Sequence, residues 1–192
     1  HNKKGASQMN KIFKSKNIDY NFCGVMGGPV QSEQGILGGI YGGKKRNFLK
    51  CKKYLNSFCK SVFNFGDVTK ASSAKLLSNF LTLLTTTSVI EFFKSANKLN
   101  VDIKLLCEVA KLGSGNSGAL DRIAGKAIKG NYRGYVFSVD NTYKDLHYIN
   151  DLVSDLPNAN KLIKIAKSFY SDASKKGYGN YLVSELIDKD KY

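Results

Sequence analysis

Lys75, Asn79, Thr82 and Thr86 follow one another at spacings of four, three and four residues. Those steps stack side chains on one face of an α-helix. The file runs through a stretch that is otherwise largely apolar: Leu76, Leu77, Phe80, Leu81, Leu83, Leu84, Val89 and Ile90 surround it, and Lys75 is the single charge between residues 71 and 90. A lone lysine on such a helix has two ordinary fates. It snorkels, with its stem along apolar neighbours and its amine in water, or it lines a polar cleft. In a cleft, partial burial disfavours the ammonium form, which suits the amine to exchange a proton near neutral pH. Asn79, one turn on, can hydrogen-bond the same ligand. Spacing alone leaves both fates open.

Three other segments have the residue types for chemistry. In "VMGGPVQSEQG" (25–35), Gly27 and Gly28 follow a predicted strand. Glycines there let backbone approach a ligand and present N–H groups to a carboxylate, although an ordinary turn looks the same in sequence. "GSGNSG" (113–118) matches the letters of the dinucleotide fingerprint. It is set aside, because that fingerprint works between a strand and a helix of a βαβ unit and here a predicted helix precedes it. An interhelical loop is expected instead. In "NTYKDLHYI" (141–149), Lys144 and Asp145 are adjacent, about 100° apart on a helix, as in many solvated charged turns. His147 has no Ser or Cys neighbour that would suggest a nucleophile triad.

The elements that must carry these residues fall into two textures. Up to residue 66 strands and helices alternate, as in an α/β layer: a helix at 5–17, a strand at 19–25, a short connection at 31–35, a strand at 36–41, an amphipathic helix at 44–60 with Phe48, Cys51, Leu55 and Phe58 inward, and a strand at 61–66. From residue 69 no strand is predicted. A long helix covers 69–98, followed by helices near 102–112, 117–129, 139–156 and 159–176 and a short one at 181–188. Asp102 and Ser117 are the expected N-caps, and Asn100 and Gly177 the expected terminators. The two domains are therefore placed at 1–67 and 68–192.

Composition narrows the function classes. The net charge of +15 points to a polyanion or an anionic substrate, yet only three of the 30 cations are arginine, and bidentate reading of phosphates and bases leans on arginine. The lysines read as a solvated surface, and nucleic acid is not an expected partner. Cys23, Cys51, Cys59 and Cys107 form no C-x-x-C pair and only two histidines are present, so no metal site is expected. Reduced, mostly buried thiols fit the cytoplasm, with the mitochondrion as the alternative compartment. Residues 71–90 carry nine Ser, Thr and Asn side chains, too many for an uninterrupted apolar span. A helix buried in protein, with no membrane, is the expectation.

Taken together, the segments resemble the β-hydroxyacid dehydrogenase family, which includes 3-hydroxyisobutyrate dehydrogenase and tartronate semialdehyde reductase. "FCGVMGGPVQSEQG" (22–35) is similar to the family's D-A-P-V-S-G-G-P-x-x-A-x-x-G, "GDVTKASSAKLLSN" (66–79) to its G-x-x-G-x-G-x-x-x-K-x-x-x-N, and "KDLHYI" (144–149) to its K-D-L-x-x-A. Their order and separation agree as well, from about residue 5 to the end. The resemblance implies the last strands of a Rossmann-like domain followed by a long-helix, all-α domain of the 6-phosphogluconate-dehydrogenase C-terminal type. It implies NAD or NADP as cofactor, a small hydroxyacid substrate and a homo-oligomer. Lys75 would be the acid/base, Asn79 and the turn at Met26, Gly27 and Gly28 would bind substrate, and Lys144, oriented by Asp145, would face the cofactor. Phe22, Gly24 and Met26 stand where the family has Asp, Pro and Ser, so a hydroxyl donor to the substrate carboxylate is lost. The glycine-rich pyrophosphate turn of the family's N-terminal βαβ unit is not in the sequence, so weak NAD(P) binding by this chain alone is expected. The alternative is a non-catalytic remnant serving as an oligomerisation or ligand-binding module.

Overall fold

A computed structural model describes residues 2–188. The chain divides into two compact units, residues 1–79 and 80–192. The long helix passes from one to the other.

The first unit is a three-stranded sheet with its helices. Its elements are α1 (Lys3–Lys14), β1 (Phe22–Met26), α2 (Pro29–Glu33), β2 (Leu37–Gly42), α3 (Lys45–Leu55), β3 (Cys59–Asn64) and the beginning of α4 (Val68–Lys98). Strand order is β1-β2-β3, with β1 antiparallel and β3 parallel to β2. The register sets Phe22, Gly24 and Met26 opposite Gly42, Ile40 and Gly38. Because side chains alternate along a strand, these six positions share one face. There Phe22 and Ile40 pack with Val68 and Ala71 of α4 in a small core that Tyr20, Met26 and Ala74 extend. The other face takes α3, whose Phe48 ring lies 5.0 Å from that of Tyr41. Burial holds the Tyr41 phenol neutral up to about 12, and its hydroxyl donates to Asn21 Oδ1 at 2.7 Å.

α4 starts where the sequence tells it to. The Asp67 carboxylate accepts from the backbone N–H of Thr69 (2.8 Å) and of Lys70 (3.0 Å) and from the Thr69 hydroxyl. It thereby satisfies N–H groups that a first turn leaves open. These bonds, chiefly the Thr69 hydroxyl, hold the Asp67 carboxyl below its usual range. α4 has 31 residues, and its most apolar 18-residue window has a mean hydropathy of 1.4, enough to cross a membrane by length and composition. A third of that window is buried within the chain, less than expected of a helix buried in protein on several sides. Its hydroxyls bond back along the helix, Thr86 to the Thr82 carbonyl, Thr87 to that of Leu83 and Ser88 to that of Leu84, which is how such residues are accommodated mid-helix.

The second unit is helical: the rest of α4, α5 (Ile103–Leu112), α6 (Gly118–Ala127), α7 (Val139–Leu152) and α8 (Pro157–Ala173), closed by a wide turn at Ser174–Tyr178 and a 3-10 turn at Val183–Ile187. Its core gathers Phe93, Ile123, Val139, Leu146, Ile149, Ile163, Tyr170 and Val183, all nearly inaccessible. The buried Tyr170 hydroxyl lies 2.9 Å from Thr87 Oγ1, and burial raises its pKa. Asp102 and Ser117 cap α5 and α6 as expected, accepting from Leu105 and Leu120 N–H. Asn100 and Gly177 have positive φ, 55° and 90°, as terminators do.

Several boundaries move for identifiable reasons. The "connection" at 31–35 is instead the end of α2, which Pro29 opens at its first position. α3 ends at Leu55, so Phe58 lies beyond it and is 38% exposed, not inward. β3 accordingly starts two residues early, at Cys59. α7 stops at Leu152, and Pro157 then begins α8 two residues before the expected start. Of the four thiols only Cys59 and Cys107 are buried, while Cys23 is exposed, because it alternates away from the core face of β1.

Candidate functional site

Two glycines set the position of Lys75. A Cβ on Gly42 would fall 2.5 Å from the Ala71 Cβ and 2.9 Å from the Val68 Cα, so the first turn of α4 rests on bare backbone at the end of β2. A Cβ on Gly24 would fall 3.2 Å from Lys75 Cγ and 3.3 Å from its Cβ. The lysine stem therefore lies flat across β1 where a larger residue would lift it. The amine continues to the end of the strand, where Nζ donates to Met26 Sδ at 3.0 Å, and it also donates to Asn79 Oδ1 at 3.2 Å. Both Lys75 and Asn79 are half-buried. An amide one turn along a helix can reach back in this way because i and i+4 side chains are neighbours.

The double-glycine corner follows directly. Gly27 has φ +128° and a Cβ there would collide with Leu37 Cδ2, so glycine is required on both conformational and steric grounds. The Gly28 N–H is already engaged by Gln31 Oε1 at 2.9 Å, across the first turn of α2. A carboxylate arriving at Gly28 therefore competes with Gln31. This is a local bond that glycine spacing alone gave no sign of.

Thus the structure brings Lys75, Asn79 and Met26 together within the first unit, with Gly27 and Gly28 next in chain after Met26. Lys144 and Asp145 belong to α7 in the second unit. There Lys144 Nζ is 3.6 Å from Asp145 Oδ1 and 3.4 Å from Asn141 Oδ1, with side-chain exposures of 52% for Lys144 and 17% for Asp145. The two neighbours in sequence form a local ion pair despite their angular separation on the helix. The residue that sequence reasoning left without a role is Gly24. It was noted as a departure from a proline, but only the packing shows that it seats the lysine stem. Asp67 was also passed over, although an Asp just before a helix, with Thr two residues on, is a capping signal.

A dinucleotide needs a cradle for its pyrophosphate. The described residues contain one βαβ unit, β2–α3–β3, with Gly42 ending the strand and Gly43 in the turn to the helix. Its turn does not fit. Gly42 is covered by α4, a Cβ on Gly43 would collide with Asn21 and Tyr41, and the Asp19 carboxylate takes up the cations at the start of α3. Asp19 pairs with Lys44 and, at 2.9 Å, with Arg46, and accepts from Asn47 at 3.1 Å. These contacts, Lys44 first, lower its pKa.

Comparison with known proteins agrees with this architecture. Over 97% of its length the chain superposes on a 3-hydroxyisobutyrate dehydrogenase from Salmonella typhimurium, with a TM-score of 0.85 and 22% identity, covering 65% of that chain. It is 24% identical to L-threonate dehydrogenase of Haemophilus influenzae over 164 residues, 85% of this chain and 54% of the other. It is 22% identical to the cytokine-like nuclear factor N-PAC of Anopheles gambiae over 187 residues, 97% of this chain and 33% of the other. The chain thus spans a third to about half of these curated relatives and about two thirds of the solved one. The fold is the one the resemblance implied, a small sheet followed by a long-helix α domain. Residues 69–188, more than half of the sequence, match the family described as the NAD-binding domain of NADP-dependent 3-hydroxyisobutyrate dehydrogenase, and the chain belongs to that family.

Proposed function

We propose that this chain carries the proton-transfer and substrate-binding side of an NAD(P)-dependent oxidoreductase acting on a small β-hydroxyacid, with Lys75 as its acid/base. The observation that carries this reading is the seating of Lys75: its stem lies across Gly24 and its amine is drawn to Asn79 and Met26 at the double-glycine corner. A neutral amine that gives N–H groups to Asn79 and Met26 retains a lone pair. In the oxidative direction that lone pair takes the substrate hydroxyl proton, and in reduction the ammonium returns one to the forming alkoxide. Asn79, with an amide NH₂ as well as its carbonyl, holds a substrate oxygen beside Lys75. A carboxylate at the double-glycine corner would take the Gly28 N–H in place of Gln31 Oε1. The cofactor, when bound, accepts or supplies the hydride. Lys144, paired loosely with Asp145, would meet the cofactor's polar groups. Oligomerisation through the helical unit and a cytoplasmic or mitochondrial location belong to the same reading.

The test is turnover of small β-hydroxyacids with NAD or NADP by the full chain, alone and mixed with a separately expressed glycine-rich nucleotide-binding half. Activity that Lys75→Ala removes supports the assignment, and activity indifferent to Lys75→Ala overturns it. A second reading, a non-catalytic module, is favoured by two contacts: Met26 Sδ at the amine and Gln31 Oε1 at the Gly28 N–H occupy groups a substrate would use. It predicts a stable oligomer without turnover even when the nucleotide-binding half is supplied.

A further inference from the structure

The charge is not spread over the molecule. Residues 1–79 contain fourteen Lys and Arg against three Asp and Glu, net +11, whereas residues 80–192 contain sixteen against twelve, net +4. Of the three acids in the first unit, Asp67 is taken up as the cap of α4 and Asp19 by Lys44 and Arg46. The cations are also ordered. On α1, Lys3, Lys4, Lys11 and Lys14 are all exposed, and their spacing keeps them within about 100° of the helix circumference. On α3, Lys45, Arg46, Lys50, Lys52 and Lys53 are exposed; Arg46, Lys50 and Lys53 lie on the side away from Phe48, which packs against Tyr41, while Lys52 Nζ lies 5.9 Å from the Phe48 ring centroid. Lys50 and Lys53 continue a row that starts at Arg46, itself paired with Asp19, at steps of about 6 and about 4.5 Å along the helix. Asp19 ties the chain just after α1 to the first turn of α3.

We propose that the outer face of α3 binds the phosphate backbone of single-stranded nucleic acid without sequence specificity, the cations of α1 in the same unit adding to its positive field. A line of cations suits a line of phosphates. Lysine supplies charge without the bidentate base contacts that specify sequence. Tyr54, 65% exposed with Lys53 Nζ 4.7 Å from its ring centroid, offers a face on which a base can stack. An anionic membrane is the poorer fit, because Phe48 is spent on the sheet and the cationic side of α3 exposes just Leu49 and Tyr54 as large apolar side chains, too few for an apolar stripe that enters a bilayer.

The experiment measures anisotropy of a labelled single-stranded oligonucleotide with the full chain across a salt series. Affinity is expected to fall linearly in log–log form, by about 0.7 per phosphate contact. Lys45→Glu/Lys50→Glu/Lys53→Glu should weaken binding roughly tenfold or more and flatten that slope, with the neutral Lys→Gln triple as a milder version. Lys161→Glu/Lys164→Glu on α8 should leave both unchanged. Circular dichroism checks that each variant is folded. Absence of salt-dependent binding, equal loss from the α8 pair, or sedimentation with phosphatidylserine vesicles without oligonucleotide binding would each overturn the proposal. Lys75 is untouched throughout, so the outcome is independent of the enzymatic reading.

Discussion

Lys75 and Lys144 are both helical lysines in segments that resemble motifs of one family, yet their surroundings differ. Lys75 is held by partners from distant parts of the sequence: Gly24 and Met26 lie 51 and 49 residues away, and Asn79 one turn on. Lys144 meets groups of its own helix, Asn141 and Asp145, at 3.4 and 3.6 Å, and is half exposed. A lysine whose stem lies against a strand has few directions open to its amine. A lysine on a helix surface samples many, and pairing with an adjacent carboxylate restricts it little. Fixed geometry is what a proton-transfer group requires, and adaptable charge is sufficient for docking a cofactor.

That contrast can be broken most directly at the lysines themselves. With the nucleotide-binding half supplied, Lys75→Ala should lower kcat by about 10²–10⁴-fold, while Lys144→Ala should act mainly on the cofactor KM. Steady-state kinetics in both substrates separates the two, and equal kcat losses would erase the distinction. Next in size is the seat. Gly42→Val drives side-chain atoms into Ala71 and the Asp67 carbonyl, an overpacking that should cost about 1–3 kcal/mol and lower the melting temperature, with nothing comparable expected for Gly125→Ala, whose surroundings are open. The cap ranks third: Asp67→Ala should cost about 1 kcal/mol by removing acceptors for the first turn of α4. It also carries a pH signature. The folded carboxyl lies below its ordinary value of 3.8, so its stabilisation is present above that value and is lost as pH falls through the lower, folded one. Acid unfolding of the wild type should therefore show a component below about pH 4 that Asp67→Ala lacks. Smallest of all, Asp145→Asn should shift stability by no more than about 0.5 kcal/mol and register only in cofactor affinity.

Much of the site was legible because its signals are local. The four-three-four spacing placed Lys75 and Asn79 on one helix face, and the change of texture after Gly66 put the end of the sheet two residues from the observed start of α4. Asp102 and Ser117 announced their helices because a cap is a contact across three residues. What sequence missed depended on contacts it does not encode by spacing. Phe58 has the right helical phase to face inward, but α3 has already ended. Gly28 has the composition of a carboxylate-binding corner, but Gln31 turns back onto its N–H. The cations looked scattered because α1 and α3 are separated in the chain, and their concentration in one unit appears only once the units are known.

The sequence by itself determined that a sheet precedes a helical array, that one lysine and one amide share a helix face, and that the family motifs occur in order. Periodicity, capping and glycine turns are set within a few residues, so they can be read without coordinates. Tertiary structure alone decided where the amine of Lys75 goes. That depends on β1 pairing with β2 in one register, which brings Gly24 and Met26 beneath α4. A shift of one residue would have turned Cys23 and Val25 to that face, because side chains alternate along a strand.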